Sequence, residues 1–417
     1  MTSPLRTQLA FSLLSLICIY FLFSAVSDAT KGFWQVLTAT IDRRPDLGRY
    51  VPHRTLSAAE FPIYQPNQRV LIVGDVHGMH EPLQTLLNKL SYNPSSDTLI
   101  HVGDIVAKGP HRGSLNVLKF MASHNITGVR GNHDQKVIEW RAWLDWITRL
   151  DGGAVWLANV HAAADEANPD DPEEWAERHL KKHKSKWSRK IPEGWKFLSD
   201  HYRVARDMTP AQFEYLTRLP LVLHAPEAHV LIAHAGILPS DPRYKPSHRR
   251  QPLATVPSLP SNHRPVDSIA ALRRLQEASL LAKVPQNTDP WVTLNMRGIL
   301  SDKSVTRGKD GTPWSEVWNR DMGYCTGFEP SRRYTSRGRK HKDTELPCFP
   351  ATVVYGHAAS RGLDVKRWSV GLDSACVRND RLSALVLDGE PPADSARRKH
   401  TIQFGEGTAQ IVDVKCK

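Results

Sequence analysis

An α/β fold is predicted by two features of this 417-residue chain. Short β-branched runs recur along it, and helically spaced apolar segments separate the first of them. The runs are Val70-Leu71-Ile72-Val73, Leu99-Ile100-His101-Val102, Ile126-Thr127-Gly128-Val129, Val230-Leu231-Ile232-Ala233 and Ala351-Thr352-Val353-Val354-Tyr355. Pro82 to Leu90 reads as a helix after the first run. Ser114 to Ser123, after the second, carries Leu115, Leu118 and Met121 at helical spacing. Strand, helix, strand in this order is the βαβ unit of a parallel sheet. A hydrophobic fraction of 40% suffices for a sizeable core.

The remaining segments are assigned around this centre. Leu9 to Val26 is free of charge, with Arg6 before it, which suits an N-terminal membrane anchor or, with Ala25-Val26-Ser27 as a cleavage site, a signal peptide. Residues 1–27 are therefore read as signal-anchor and 28–67 as a stalk broken by Pro45, Pro52, Pro62 and Pro66. The catalytic domain is placed at 68–390, with a helical insert at 136–222 in which Trp140, Trp143, Trp146 and Ile147 fall at helical intervals. Packing is the favoured role of these tryptophans, with a base-stacking surface as the alternative. Leu382–Leu387 and Thr401–Val414 read as an antiparallel edge pair, and 391–417 as strands completing the domain.

A net charge of +12 favours polyanionic partners. Its densest runs are Lys181 to Lys190 and Arg332 to Lys342. None of the five cysteines forms a CxxC pair, which argues against a structural zinc ribbon. Cys325 and Cys348 flank a loop and either bridge in an oxidising lumen or stay as thiols. Asn125-Ile126-Thr127 is a glycosylation acceptor compatible with that lumen.

Each β-branched run ends in a short polar motif: Gly74-Asp75-Val76-His77-Gly78, Gly103-Asp104-Ile105-Val106, Gly131-Asn132-His133-Asp134, His234-Ala235-Gly236 and Gly356-His357. Strand exits converge at one edge of a sheet, where sites form. Oxygen and imidazole donors without thiolate suit two ions of Mn, Fe, Co or Zn. Asp104, on a strand expected to be central, is the candidate bridge. Asp75 and His77 can share one ion, and Asn132, His234 and His357 can complete the other. Such a pair lowers the pKa of a bound water and neutralises phosphoryl oxygens.

These motifs resemble those of the phosphoprotein-phosphatase group of calcineurin-like metallophosphoesterases. The resemblance implies a β-sandwich flanked by helices, with a dinuclear site at one end of the sheets. It implies Asp75, His77, Asp104, Asn132, His234 and His357 as metal ligands, His133 as proton donor to the leaving oxygen, and Asp134 as the group orienting it. Arg297, in Asn295-Met296-Arg297-Gly298, resembles the family's phosphate clamp. Lys108 and Arg130 join it as substrate-binding candidates. One departure is specific: Ala107-Lys108-Gly109-Pro110 stands where Ser/Thr phosphatases carry Asp-Arg-Gly, which removes an aspartate partner of the catalytic histidine. The ending is similar to that of the diadenosine-tetraphosphatase-like branch. Within that branch, an N-terminal anchor resembles the fungal vacuolar zinc-dependent endopolyphosphatases.

The expected function is hydrolysis of phosphoanhydride bonds in inorganic polyphosphate, with two divalent ions (zinc favoured by the resemblance). The expected place is a vacuole membrane with the catalytic domain lumenal, or else another endomembrane compartment or secretion. No stable nucleic-acid partner is expected. The alternatives are a dinucleoside-polyphosphate or RNA-cap phosphohydrolase, a Ser/Thr phosphoprotein phosphatase, and a membrane-tethered polyanion-binding protein without activity.

Overall fold

A computed structural model describes residue 45 and residues 49–259, 268–328, 345–388 and 401–417. The apolar segment 9–26 and the basic run 332–342 lie outside the described residues. Among the described residues no helix is long and apolar enough to cross a membrane. The described chain falls into two compact units, one of residues 142–197 and one of 49–141 with 198–417.

Among the described residues the larger unit carries fifteen strands. The first six are β1 (Val51–Thr55), β2 (Arg69–Val73), β3 (Asp97–His101), β4 (Thr127–Gly128), β5 (Pro220–Ala225) and β6 (Val230–Ala233). Three short ones follow, β7 (Gly298–Ile299), β8 (Val305–Thr306) and β9 (Thr312–Pro313). The last six are β10 (Thr352–Tyr355), β11 (Asp364–Lys366), β12 (Ser369–Gly371), β13 (Arg381–Asp388), β14 (Thr401–Phe404) and β15 (Gly407–Lys415). They form two six-stranded sheets, ordered β1-β5-β6-β10-β12-β11 and β14-β15-β13-β2-β3-β4, and a small sheet β8-β7-β9. In the second sheet β2, β3 and β4 run parallel, and in the first so do β6, β10 and β12.

Residue patterning alone suggests one open sheet; the structure has two, face to face, as the resemblance implies. Side chains alternate between the faces of a strand. Val230 and Ile232 of β6 and Val354 of β10 pack with Val70 and Ile72 of β2 and Ile100 of β3 in the core shared by both sheets. Leu231, Ala233, Val353 and Tyr355 point the other way, against Leu280, Trp314 and Trp318. Burial on both faces explains why these runs are continuously apolar. The C-terminal strands differ from the expected edge pair. β13 lies inside its sheet, antiparallel to both β2 and β15, and β14 forms the edge. Disulfides join Cys325 to Cys348 and Cys376 to Cys416. The second joins residues 40 apart in sequence, with no local pattern to announce it.

The smaller unit is helical, with Gly153–Ala167, Pro172–Lys182 and a turn of 3-10 helix at Ser188–Lys190. Asp171 caps the second helix by accepting from the N–H groups of Glu173 and Glu174, with Pro172 in the first turn. The tryptophans at 143 and 146 are buried, a packing role rather than an exposed stacking platform. Within the basic run, Lys181 pairs with Glu177 one turn earlier, and Lys186 and Lys190 lie over the Trp187 and Trp146 rings.

Candidate metal centre

All six candidate ligands meet at the C-terminal ends of parallel strands from both sheets. Asp75 and His77 leave β2, Asp104 leaves β3, His234 leaves β6 and His357 leaves β10. Asn132 opens the helix Asn132–Ile147 just past β4. Two buried groups each bring their donor atoms within 4.8 Å of one another: Asp75, His77 and Asp104, and Asp104, His234 and His357. Asp104 belongs to both, although its strand is next to the edge of the sheet rather than central. Its Oδ2 lies 3.3 Å from His234 Nε2 and 3.6 Å from His77 Nε2. Asn132 Oδ1 lies 3.0 Å from His234 Nε2 and 2.9 Å from His357 Nδ1.

The surroundings prepare these groups as donors to a cation. His234 Nδ1 is 2.9 Å from the Val102 carbonyl, and His357 Nε2 is 3.1 Å from that of Asn295. Each carbonyl can hold an N–H, which orients the ring so that its other nitrogen faces the cluster. Asp75 Oδ2 accepts the His357 N–H, while Asp75 Oδ1 and His77 Nδ1 are buried without a hydrogen-bond partner. The oxygen and imidazole set fits a pair of divalent ions. Three of the ligands, His77, Asp104 and His357, hold left-handed backbone at φ 48°, 49° and 67°. Such conformations persist where the surrounding structure imposes them. Gly356 allows the closest approach, since a Cβ there would stand 2.0 Å from Asp75 Oδ1.

The buried charges act on one another. Burial disfavours a charge on His234, but Asp104 and Asp75 outweigh it and push the imidazole up to about 10. Burial likewise opposes ionisation of Asp104, yet His234, His133 and His77 hold it well below the usual carboxylate range. Burial, with Asp373 beside it, drives Asp75 well above that range.

The other predicted residues divide. Arg297 reaches the centre: its Nη2 donates to the His357 carbonyl at 3.1 Å and its Nη1 to that of Arg307 at 2.7 Å. Burial lowers its pKa, with Arg361 and Arg307 adding to the effect. Arg361, not singled out from the sequence, donates to the Arg297 carbonyl at 2.6 Å. Lys108 is exposed, in a left-handed loop. Arg130 is 1% exposed and donates to the carbonyls of Arg49 and Thr217 and to Gln135, contacts within the packed framework rather than at the ligand groups. Asp134 does not orient His133. Its carboxylate accepts the N–H groups of Gly131, Asp104 and Ile105 and so pins two motif loops together.

The partner of His133 is His201, which sequence reasoning missed. His133 Nδ1 lies 2.7 Å from His201 Nε2, and His201 Nδ1 lies 2.6 Å from Asp200 Oδ1. Asp200 Oδ2 accepts the Lys108 N–H at 2.7 Å. Burial pushes His133 down to about 3 against the pull of Asp104. For Asp200 burial is outweighed by the hydrogen bond and charge of His201, which hold its carboxyl below the usual range. Asp200 and His201 open a helix, Asp200–Asp207, capped by Ser199; a capped helix start is common, and nothing in its pattern marks a site.

Parts of the chain are similar to known proteins. The serine/threonine-protein phosphatase 1 of Salmonella typhimurium is 38% identical over 93 residues, covering 20% of this chain and 42% of its own length. The symmetrical bis(5'-nucleosyl)-tetraphosphatase of Escherichia coli is 46% identical over 65 residues, 15% of this chain and 22% of its own. The chain thus spans less than half the length of these curated relatives. A crystal structure assigned as a diadenosine tetraphosphatase covers 88% of this chain and 99% of its own at 24% identity, with a TM-score of 0.46. Residues 68–254 match the calcineurin-like phosphoesterases, the stretch that holds five of the six clustered ligands. Over that stretch the chain is similar to the calcineurin-like phosphoesterases.

Proposed function

We propose that this protein is a two-metal phosphohydrolase that cuts phosphoanhydride bonds, with inorganic polyphosphate as its substrate. The observation that carries the hydrolase reading is the pair of ligand groups sharing Asp104. Two divalent ions bound there, zinc by resemblance, supply Lewis acidity and a low-pKa water. The residues do the rest. A water oxygen bonds to phosphorus and its proton goes to solvent. The P–O bond to the leaving group breaks, and that oxygen takes a proton from His133 Nε2. Buried and neutral in the free site, His133 gains its proton when the negative phosphate arrives beside it. Arg297 keeps guanidinium N–H groups beyond the two carbonyls it already serves, enough to grip phosphoryl oxygens.

The polyphosphate assignment is supported by the +12 charge and by Arg307 and Arg361 beside Arg297. A dinucleoside polyphosphate is the second reading, favoured by the Escherichia coli relative and the Ala107-Lys108 ending. We place the domain in an oxidising lumen behind an N-terminal anchor; two disulfides and an exposed Asn125 support this. The test offers the full chain, loaded in turn with Zn, Co, Mn or Mg, long-chain polyphosphate, diadenosine tetraphosphate and a phosphopeptide. Mid-length polyphosphate fragments are expected. Phosphate released from the peptide alone overturns the substrate assignment.

A further inference from the structure

We infer that His201 and Asp200 are positioning residues for His133, forming a His133–His201–Asp200 chain that fixes which ring nitrogen of His133 faces the reaction. The inference rests on His133 being the proton donor in the function proposed above.

The hydrogen bonds determine the direction. A carboxylate accepts only, so Asp200 Oδ1, at 2.6 Å, fixes the proton of His201 on Nδ1. In neutral His201, Nε2 is then an acceptor, and His133 Nδ1, 2.7 Å away, is the donor. That leaves His133 Nε2 as the ring nitrogen outside this chain. Asp200 is itself fixed by the backbone N–H groups of Lys108 and His201 at 2.7 and 2.8 Å. The Lys108 contact ties the chain to the Asp104 loop, where Ala107 and Lys108 offer no carboxylate of their own. The helix is held in turn by Tyr202, fully buried with its ring edge-on to Trp140 at 5.0 Å, and by Asp207 on His111 at 2.9 Å. The rings of His133 and His201 lie nearly parallel, 16° apart, so the contact is a defined geometry rather than a passing approach.

Two measurements test this. The first uses aryl phosphates differing in leaving group. An oriented proton donor matters for a poor leaving group such as phenol and little for 2,4-dinitrophenol. For His201→Ala and Asp200→Asn we expect kcat on phenyl phosphate to fall about a hundredfold with KM within about twofold, against less than about threefold on dinitrophenyl phosphate. His201→Gln, whose amide oxygen can still accept from His133, recovers about tenfold of that loss. The second reads the rings without turnover. In protein labelled with 15N-histidine, His201 should show the Nδ1–H tautomer, and the His133 ring signals should move in His201→Ala. Equal losses on both substrates, or wild-type kinetics while His133→Ala shows the leaving-group split, overturn the inference. So do unchanged His133 signals in His201→Ala. A wild-type protein that hydrolyses no phosphate substrate overturns the proposed function, and the ring signals then decide the positioning chain by themselves.

Discussion

The strand exits and the helix Asp200–Asp207 both deliver histidines to one place, by different means. At the strand exits the ligands leave buried β-branched runs through glycines, and three of them hold left-handed backbone. The helix supplies His201 from an ordinary capped start, aimed by its packing against Trp140 and His111. The first arrangement is written into local sequence because close strand packing needs small residues and ligands at fixed offsets. The second depends on where a helix docks, which no local pattern encodes. The same contrast appears within the five residues 130–134: Asn132 and His133 face the centre, while Arg130 and Asp134 hold the frame.

The contrast can be broken at several points. Asp104→Asn should cost the most, because it weakens both ligand groups at once. We expect more than about a thousandfold loss in kcat, with metal content falling in parallel when read by elemental analysis. Full activity would mean the two groups do not act as one centre. Arg130→Ala should act on stability instead, by about 3 kcal/mol in urea unfolding, since buried acceptors and a cavity are left behind. Turnover per folded molecule should stay within about twofold; a selective rise in KM would return Arg130 to the substrate.

Acid should loosen the sheet beneath the site. His101 accepts the Gly103 N–H on Nδ1, at 3.2 Å, and therefore donates through Nε2 to Tyr215, at 2.9 Å. Burial, with His234 adding to it, pushes its pKa down to about 3. Above the ordinary histidine value neither state is protonated and the group contributes nothing. As pH falls below about 6.5 the unfolded chain takes up a proton the native state refuses, so stability drops by about 1.4 kcal/mol per pH unit until the folded pKa is reached. Unfolding curves at pH 7 and pH 5 should differ accordingly, and His101→Gln should flatten the difference. The smallest effect belongs to exposed Lys108. Lys108→Ala should raise KM about threefold at low salt, and the difference should vanish near 0.5 M salt, on the order of a few-ångström Debye length.

Much of the centre is legible in the sequence. The six ligands sit at motif positions whose glycines and offsets are themselves the signal. The sandwich is less so: a run such as Val230-Leu231-Ile232-Ala233 reads the same whether a helix or a second sheet covers it. Arg130 and Asp134 look functional in the sequence because a charged residue beside a ligand does so until its hydrogen-bond partners are known. The Cys376–Cys416 bridge is hidden for the same reason as His201, since its halves are neighbours only after β13 and β15 pair.

By itself, then, the sequence determined which side chains leave the strands and with what donor chemistry, because that depends on local spacing and on the closeness that glycine permits. Only the tertiary structure decided which of two sheets covers each strand, which charged neighbours become framework, and which distant helix brings a second imidazole to His133. Those outcomes depend on contacts between segments far apart in the chain, and single-sequence periodicity carries no information about them.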